Sequence, residues 1–505
     1  MSIVKSVVTV TGISVVTRAL SFVFKIYLTR TLGAEVIGLY SICISVFFLF
    51  IAITTGGLGT VLSRKIAESE AGGDRLKPLS YLSAAMGVAL FAAAATLAFG
   101  YFVTAKSSFL LSDERALPML KIMLPALVTT TFYIIIRGWF WGTKQFGIFS
   151  CTELLEEILR ILFTLLLVSG VVSGISGASG LALAFTLSDV AVALAVFFIF
   201  LKKGGSFRGG VHPKELLKPA LPLTLMRVLG SAVGAILAII LPNALIASGM
   251  SVSEATASVG RISGMANPLI MAPNAIIGSL AVVLVPEMSA DNARGDRNKL
   301  TERVDSGITF SLIVSGLFMA LYAAVGSELC LWLYKDAEAG EYLEKAAWLM
   351  LFTPVNQIIA TSMNSVGMEK ESFLTFIPGT LVMLAACRYL PYYIGLDSVI
   401  AANFAALFIE SAGNVLLLHK KIKLKFGFLK SLFMVALISV IVKFFVDFVS
   451  KATSSLPLFL CILLSVVPGA LMYFCLAAFA GLIKPKTLLA RFKKAPPHPG
   501  EELRL

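Results

Sequence analysis

The chain contains 505 residues, of which 58% are hydrophobic and 14% are charged. Soluble globular domains carry about 25% charged residues, so this composition excludes an ordinary soluble protein. The formal net charge of +13 needs an explanation, either from an acidic partner such as nucleic acid or from the distribution of charge around membrane spans.

Fourteen apolar runs follow one another along the chain, and each is long enough for a transmembrane helix, which needs about 20 residues. Nothing between them is long enough for a soluble domain. The first run exceeds the apolar core of a signal peptide, so we expect it to be retained. The sequence therefore predicts an all-α integral membrane protein with about 14 transmembrane helices. The predicted spans 1 to 14 cover residues 7–29, 39–62, 79–103, 117–140, 148–172, 180–201, 219–247, 262–286, 308–334, 347–366, 373–394, 399–418, 428–450 and 457–483.

The basic residues lie mostly on one side of these spans. Most of the 42 Lys and Arg residues precede span 1, follow span 14 or occupy alternate loops between them. Cytoplasmic loops carry such an excess, so both termini are predicted to be cytoplasmic in a bacterial plasma membrane, and topology rather than nucleic acid explains the net charge. The loop from His419 to Lys425 is basic enough to attract anionic lipid, although a topology signal is the simpler explanation.

Span 1 contains two basic residues, Arg18 near its middle and Lys25 closer to its outer end. An uncompensated arginine at the bilayer centre costs about 2.5–3.5 kcal/mol, so we expect Arg18 to face a wet cavity or a partner. Lys25 is near enough to the interface for its ammonium group to snorkel into water. This explanation of its position is at least as good as a binding or gating role.

Spans 5 and 6 contain ionisable residues of both signs. Glu156 and Arg160 are four positions apart in span 5, a spacing that lets them pair on one helix face. Asp189 lies alone in span 6. Intramembrane acids are candidates for function by default. We therefore treat these three residues as candidates for ion coupling or gating, with structural pairing as the alternative.

The second half contains further polar positions inside spans. Arg261 opens span 8, and the pairs Asn267-Pro268 and Pro273-Asn274 interrupt that span. Proline removes a helical hydrogen bond, so span 8 is predicted to be bent or locally unwound beside a cavity. Glu410 lies alone in span 12 and is a further candidate for coupling or gating.

Similar features recur in the same order in the two halves. Arg18 in span 1 parallels Arg227 in span 7, and the turn Gly73-Asp74-Arg75 parallels Gly295-Asp296-Arg297. A duplication of six spans predicts two parallel lobes around a functional cleft, with Arg18, Arg227 and Arg261 facing it. The predicted parts are an N-lobe at 1–208, a C-lobe at 209–423, spans 13 and 14 at 424–483, and a basic cytoplasmic tail at 484–505.

The sequence lacks the motifs of several reaction classes. No Walker A motif for ATP, Gly-x-Ser-x-Gly elbow or cluster of metal-spaced carboxylates is present. The 3 histidines lie outside the spans, and the 6 cysteines lack CxxC spacing, so we expect the cysteines to be buried apolar residues. We therefore expect no enzyme activity, no cofactor and no bound metal. A membrane glycosyltransferase is the alternative, but such enzymes usually expose longer loops than this chain has.

Several motifs resemble one family of membrane proteins, and the likeness covers spans 1 to 12. The chain resembles the flippases of the multidrug/oligosaccharidyl-lipid/polysaccharide superfamily, most closely the branch of stage V sporulation protein B and the lipid II flippases. The motifs that carry this resemblance are Arg18-Ala19-Leu20-Ser21-Phe22, Ile37-Gly38-Leu39-Tyr40, Gly57 to Glu68 with Gly73-Asp74, Arg137-Gly138-Trp139-Phe140-Trp141-Gly142, Glu156 with Arg160, Leu221 to Arg227, and Glu254 through Arg261 to Val285-Pro286.

The resemblance implies export of a polyprenyl-pyrophosphate-linked saccharide by alternating access, with Arg18 and Arg261 at two cavity positions that are arginine in the relatives closest to lipid II flippases. Two other such positions are Phe24, with Lys25 beside it, and Ile51 here, so the resemblance leaves saccharide lipids other than lipid II open. Arg18, Arg227 and Arg261 are expected to bind the pyrophosphate. A cation-coupled multidrug antiporter of the same fold is the alternative, and it would place acids such as Asp189 and Glu410 in the cavity.

Overall fold

The computed structural model describes residues 3–71, 77–106, 113–168, 177–207 and 213–482, and all regular secondary structure within these ranges is helical. The predicted basic tail at 484–505 and the turn Gly73-Asp74-Arg75 lie outside the described residues. The helices are α1 (Ile3–Thr55), α2 (Leu58–Ala71), α3 (Lys77–Lys106), α4 (Ala116–Met123), α5 (Ala126–Gly142), α6 (Phe146–Val168), α7 (Gly177–Lys202), α8 (Lys214–Ala247), α9 (Val252–Gly260), a π-helix (Arg261–Ala266), α10 (Asn267–Ile270), α11 (Asn274–Ala293), α12 (Arg297–Tyr334), α13 (Ala337–Ala346), a 3₁₀ helix (Ala347–Leu351), α14 (Thr353–Ser365), α15 (Glu369–Tyr389), α16 (Pro391–Ile394), α17 (Asp397–Ile422), α18 (Gly427–Ala452) and α19 (Leu458–Phe479).

This architecture confirms the predicted all-α membrane fold. Within the described part of the chain, 10 helices are long and apolar enough to cross a membrane, or 11 if the bent pair α4 and α5 forms one span. The prediction of about 14 spans fits this number without matching it one to one. One reason is that α1 joins predicted spans 1 and 2 in a single helix, which is broken at Gly33 (φ 78°, ψ 169°). Glycine adopts this positive φ without the steric cost that a Cβ would add.

Two predicted spans are interrupted in the structure. The axis bends by 43° between α4 and α5, where Pro125 precedes the first residue of α5. Predicted span 8, at residues 262–286, falls on the π-helix, α10 and the first part of α11, with a turn at residues 271–273 before Asn274. The pairs Asn267-Pro268 and Pro273-Asn274 lie at this interruption, as the sequence predicted. Proline interrupts a helix because it cannot donate the helical hydrogen bond. A π-helical turn inside a helix is often found at a functional position.

The chain divides into two compact units. The first contains Met1–Met265 and Leu384–Ser398, and the second contains Ala266–Met383 and Val399–Leu505. This division differs from the lobe boundary predicted after residue 208, because α8 and α9 pack extensively against α1. The duplication, and the movement of two lobes that it implies, therefore remain proposals.

Each unit has its own apolar core. In the first unit, buried residues of α2, α3, α5 and α7 pack together, and Trp139 meets Phe200 edge-on with ring centroids 5.1 Å apart. In the second unit, α18 and α19 pack on α12. There the hydroxyl of fully buried Tyr473 donates to the carbonyl of Ile313 at 2.9 Å, and the hydroxyl of Ser439 donates to the carbonyl of Gly316 at 2.9 Å. The last two helices are thus firmly joined to α12.

Candidate functional site

A cavity of about 460 Å³ lies inside the first unit, lined by residues of α1, α5, α6 and α7. It brings together four of the residues predicted from the sequence, which come from spans 1, 5 and 6. These are Arg18, Glu156, Arg160 and Asp189. Aromatic side chains form much of the remaining wall, and Ile51 also lines the cavity. The charged residues therefore share one cavity instead of lying on separate helix surfaces.

Three of the four acidic residues that line this cavity lie on one face of α6. Glu153, Glu156, Glu157 and Arg160 follow the i, i+3, i+4, i+7 spacing that places side chains along one helical stripe. One guanidinium nitrogen of Arg160 lies 2.8 Å from Glu156 and 3.5 Å from Asp189 of α7, while a second lies 3.9 Å from Glu157. Arg160 therefore joins carboxylates of two neighbouring helices.

Arg137 of α5 is a second centre of this ion-pair network. Its guanidinium nitrogens lie 3.2 Å from Glu153 and 3.3 Å from Glu156, and its cationic carbon lies 4.6 Å from the centre of the Phe149 ring. Sequence reasoning used Arg137 only as part of a family motif and did not propose it as a site residue. Its position inside predicted span 4 was the available signal, because an arginine at membrane depth needs a partner.

Asp189 is the most deeply buried acid of the network. Its side chain is 1% exposed, and the Thr130 hydroxyl donates a hydrogen bond to one carboxylate oxygen. The other oxygen has the ion-pair contact with Arg160 but no hydrogen-bond donor. A buried charge of this kind is costly unless it is fully compensated. Asp189 is therefore only partly satisfied.

Arg18 lines the same cavity from α1 but differs from Arg137 and Arg160. Its side chain is exposed, and it makes no hydrogen bond or ion pair with any residue that the structure describes. The sequence predicted that this arginine would face a cavity or a partner, and the structure places it at a cavity. All of its guanidinium donors are available for a ligand.

Arg227 lies at a different point of the first unit. Its guanidinium donates to the carbonyl of Gly56 at 2.6 Å and to the hydroxyl of Thr60 at 3.1 Å, beside the break between α1 and α2. The amide of Gly57 donates to the hydroxyl of Thr224 at 2.9 Å, one helical turn away on α8. Arg227 thus anchors α8 to a break in predicted span 2, although its side chain stays exposed.

The other two basic candidates belong to the contact between α1 and predicted span 8. Arg261 is half-buried and begins the π-helix. The ammonium group of Lys25 donates to the carbonyl of Ser263, inside the π-helix, at 3.2 Å. Lys25 thus bonds to the backbone of the neighbouring helix, and its binding or gating role stays a prediction.

Glu410 is not part of the cavity, because it belongs to the second unit. Its carboxylate receives a side-chain hydrogen bond from Asn356. Asn414, one turn further along α17, donates to the side-chain oxygen of Asn356 at 3.4 Å, and Thr375 donates to the side-chain oxygen of Asn414. Glu410 is therefore the acceptor at the end of a chain of neutral polar groups.

Comparison with known proteins identifies the family. Residues 3–290, more than half of the chain, match the family described as "Polysaccharide biosynthesis protein". The chain belongs to this family. It is also 24% identical over 383 residues to the stage V sporulation protein B of Bacillus subtilis (strain 168), covering 73% of each protein. These matches confirm the resemblance that the sequence motifs predicted.

Two solved structures share the fold. The chain is similar to "Lipid II flippase MurJ, inward closed conformation", with a TM-score of 0.73 and 15% identity, over 94% of this chain and 98% of that one. It is also similar to a multidrug resistance MATE family transporter of the MOP superfamily in an inward-facing conformation, with a TM-score of 0.68 and 16% identity over 80% and 94% of the two chains. The chain thus shares the fold of these two proteins.

Proposed function

We propose that this protein is a flippase that moves a polyprenyl-pyrophosphate-linked saccharide from the inner to the outer leaflet of a bacterial plasma membrane. The observation that carries the proposal is Arg18, an exposed guanidinium inside a membrane span, which lines a cavity and has no partner among the residues that the structure describes. A pyrophosphate supplies the charge-assisted hydrogen bonds that such a group lacks. The family match over residues 3–290 supports a substrate that carries a saccharide.

Arg227 and Arg261 do not line this cavity, and we propose that they contact the anion at other points of its path. Arg227 uses part of its guanidinium on Gly56 and Thr60. A guanidinium has five N–H donors in a planar arrangement. An exposed arginine can therefore donate hydrogen bonds to a backbone carbonyl and to an anion at the same time. Alternating access then follows from movement of the two lobes inferred from the internal repeat, with both termini on the cytoplasmic side. No step of this transport requires chemical change of the substrate, so we propose transport and no catalysis.

A cation-coupled multidrug antiporter is the second candidate. The observation in its favour is the set of carboxylates on the cavity wall, among them Glu156 and Asp189, together with aromatic rings. Acids and aromatic faces attract organic cations. However, these acids are already paired with Arg137 and Arg160, whereas Arg18 has no partner among the described residues. The charged group of the cavity wall that lacks a partner among the described residues is therefore a cation, and it favours an anionic ligand at its own position.

The test is leaflet transfer of polyprenyl-pyrophosphate-linked saccharides, lipid II among them, in proteoliposomes. Arg18→Gln and Arg227→Gln are compared with wild type and with Arg388→Gln as the matched control. Arg388 is an exposed arginine at the end of α15 that donates a hydrogen bond to Tyr392 and lies 5.7 Å from the centre of the Tyr389 ring. A charge-assisted hydrogen bond contributes about 1.5–3 kcal/mol, so each of the first two variants should lose more than tenfold in transfer rate.

The result also separates the two candidate functions. Transfer by wild type and Arg388→Gln, with loss in the other two variants, supports the flippase. Absence of transfer for every saccharide lipid by a folded wild-type protein rejects it. Accumulation of quaternary ammonium dyes inside the same proteoliposomes, sensitive to Asp189→Asn and insensitive to Arg18→Gln, would instead establish the antiporter.

A further inference from the structure

The cavity lined by α1, α5, α6 and α7 contains an excess of negative charge. Four carboxylates contact two guanidinium groups, so the paired network has two more acids than bases. The acids are Glu153, Glu156, Glu157 and Asp189, and the bases are Arg137 and Arg160. Opposite charges at these distances attract strongly in a medium of low dielectric constant, but the excess stays uncompensated within the network.

Arg18 is the remaining positive charge on the cavity wall. With its guanidinium included, the excess falls to one negative charge. Arg18 touches none of the four carboxylates, since no ion pair links it to the described residues. Its charge therefore acts on the network through the cavity, and it can be withdrawn without breaking a contact.

Asp189 gives the excess charge a definite position. Its side chain is almost completely buried and lines the cavity, yet one carboxylate oxygen has no hydrogen-bond donor. Such an oxygen can accept a proton and become a neutral hydroxyl, which removes the cost of burying an uncompensated charge.

We propose that Arg18 is shared between two sites, the substrate pyrophosphate and this carboxylate network, and that binding of the pyrophosphate makes the network take up one proton. Without substrate, Arg18 offsets part of the excess charge. When its guanidinium turns to the pyrophosphate, that compensation is lost and a proton from water binds at the Asp189 oxygen that accepts no hydrogen bond. The proposal rests on the proposed flippase function and adds a coupling ion to it.

A proton suits this cavity better than a metal ion. Sodium or a divalent ion needs several free oxygen ligands, whereas most carboxylate oxygens here face guanidinium groups. Among the residues that the structure describes, no group of three His, Cys, Asp or Glu side chains has a metal-binding arrangement. The titratable or charged groups that face the cavity are Arg18 and Tyr40 from α1, Tyr133 and Arg137 from α5, Glu153, Glu156, Glu157 and Arg160 from α6, and Asp189 from α7.

The experiment measures proton exchange during ligand binding. Calorimetric titrations of the purified protein with polyprenyl-pyrophosphate N-acetylglucosamine are run in buffers of different ionisation enthalpy. This probe is a pyrophosphate diester, which does not itself titrate near neutral pH. We expect about one proton to be taken up per ligand bound, and the affinity to fall up to about tenfold for each unit of pH increase.

Three variants test the assignment of the proton. Asp189→Asn should bind the probe without proton uptake, and Glu156→Gln serves the same purpose if Asp189→Asn does not fold. Glu328→Gln is the matched control, because Glu328 is a half-buried acid of α12 in the second unit whose partner, the Ser450 hydroxyl, can also bond to an amide. That variant should keep the proton uptake of wild type.

Each further outcome overturns a specific part of the argument. Probe binding without proton uptake rejects the shared role of Arg18 and leaves the flippase proposal standing. Binding that instead depends on sodium, compared with choline, rejects the proton in favour of a metal ion. Uptake that persists in both Asp189→Asn and Glu156→Gln places the proton outside this network. No binding of the probe by folded wild type rejects the flippase proposal and the inference together.

Discussion

Arg160 shows how a single side chain organises the charged part of the first unit. Its guanidinium contacts acids on its own helix and Asp189 on α7, and it lies 5.1 Å from the centre of the Phe185 ring. A planar guanidinium can make these contacts simultaneously, whereas a lysine ammonium is a single point of charge. The ion pair of Glu156 and Arg160, predicted from their i,i+4 spacing, is therefore one of several ion pairs in a larger network.

Removal of Arg160 should destabilise the protein far more than removal of a similar surface arginine. Arg160→Leu leaves buried carboxylates without their partner, which costs about 3–5 kcal/mol. Arg64→Leu is the control, because Arg64 also faces a glutamate four positions away, but both side chains are more than half exposed (58% and 52%). An exposed pair contributes at most about 1 kcal/mol. Thermal unfolding in detergent measures both, and equal shifts would contradict the structural role of Arg160.

Arg227 has a structural role in addition to the binding role proposed for it. The sequence predicted a cavity position from the repeat, and the structure shows hydrogen bonds to Gly56 and Thr60. The carbonyl of Gly56 is a suitable acceptor, because the helix stops at Thr55 and resumes at Leu58 and backbone groups at helix ends lack intrahelical partners. A loss of transport in Arg227→Gln therefore has to be read together with its unfolding temperature.

At the scale of elements, α1 and α9 meet through two glycines. A Cβ on Gly38 would lie 1.9 Å from the carbonyl oxygen of Thr256, and a Cβ on Gly260 would lie 1.9 Å from that of Ala34. The backbones thus touch directly, as small residues permit between membrane helices. Ion pairs and hydrogen bonds beside this contact strengthen it. They join Arg115 to Glu35 and Asp113, Ser253 to Glu35, and Thr256 to Asp113.

Gly38→Ala should force α1 and α9 apart. The obstacle is backbone, which cannot rotate away, so we expect a loss of about 1–3 kcal/mol and a lower unfolding temperature in detergent. Gly230→Ala is the matched control within α8, because its added Cβ meets nothing within 4 Å. Alanine favours the helix over glycine by about 1 kcal/mol, so this control should be neutral or stabilising. Equal destabilisation by the two variants would show that the close contact is not the cause.

At the scale of the whole molecule, the sequence predicted the helical membrane fold well, because apolar runs of about 20 residues are a direct consequence of bilayer thickness. It also predicted Arg18, Glu156, Arg160 and Asp189 as candidates, since each is an ionisable residue at membrane depth. It did not predict that they share one cavity, nor that Arg137 joins them. Those facts depend on how α5, α6 and α7 are rotated against one another, which periodicity within one helix does not specify.

The unit boundary could not be predicted for a related reason. A duplication places the boundary after six spans, but compactness depends on which helices pack most closely. Helices α8 and α9 pack against α1 through the contacts of Arg227, Gly38 and Gly260. These contacts use small residues and backbone carbonyls, which give no periodic signal. The recurring motifs of the two halves therefore do not indicate which helices pack most closely.

The orientation of the whole molecule gives the last prediction, because the excess of Lys and Arg on one side of the spans should face the cytoplasm. In a variant with the 6 cysteines replaced by alanine, Asn298→Cys and Ala247→Cys each add one exposed thiol, at opposite predicted sides. A membrane-impermeant maleimide should label residue 247 in intact cells and residue 298 only after permeabilisation. Labelling in the reverse order would place the termini and basic loops outside, and it would reverse the proposed direction of export.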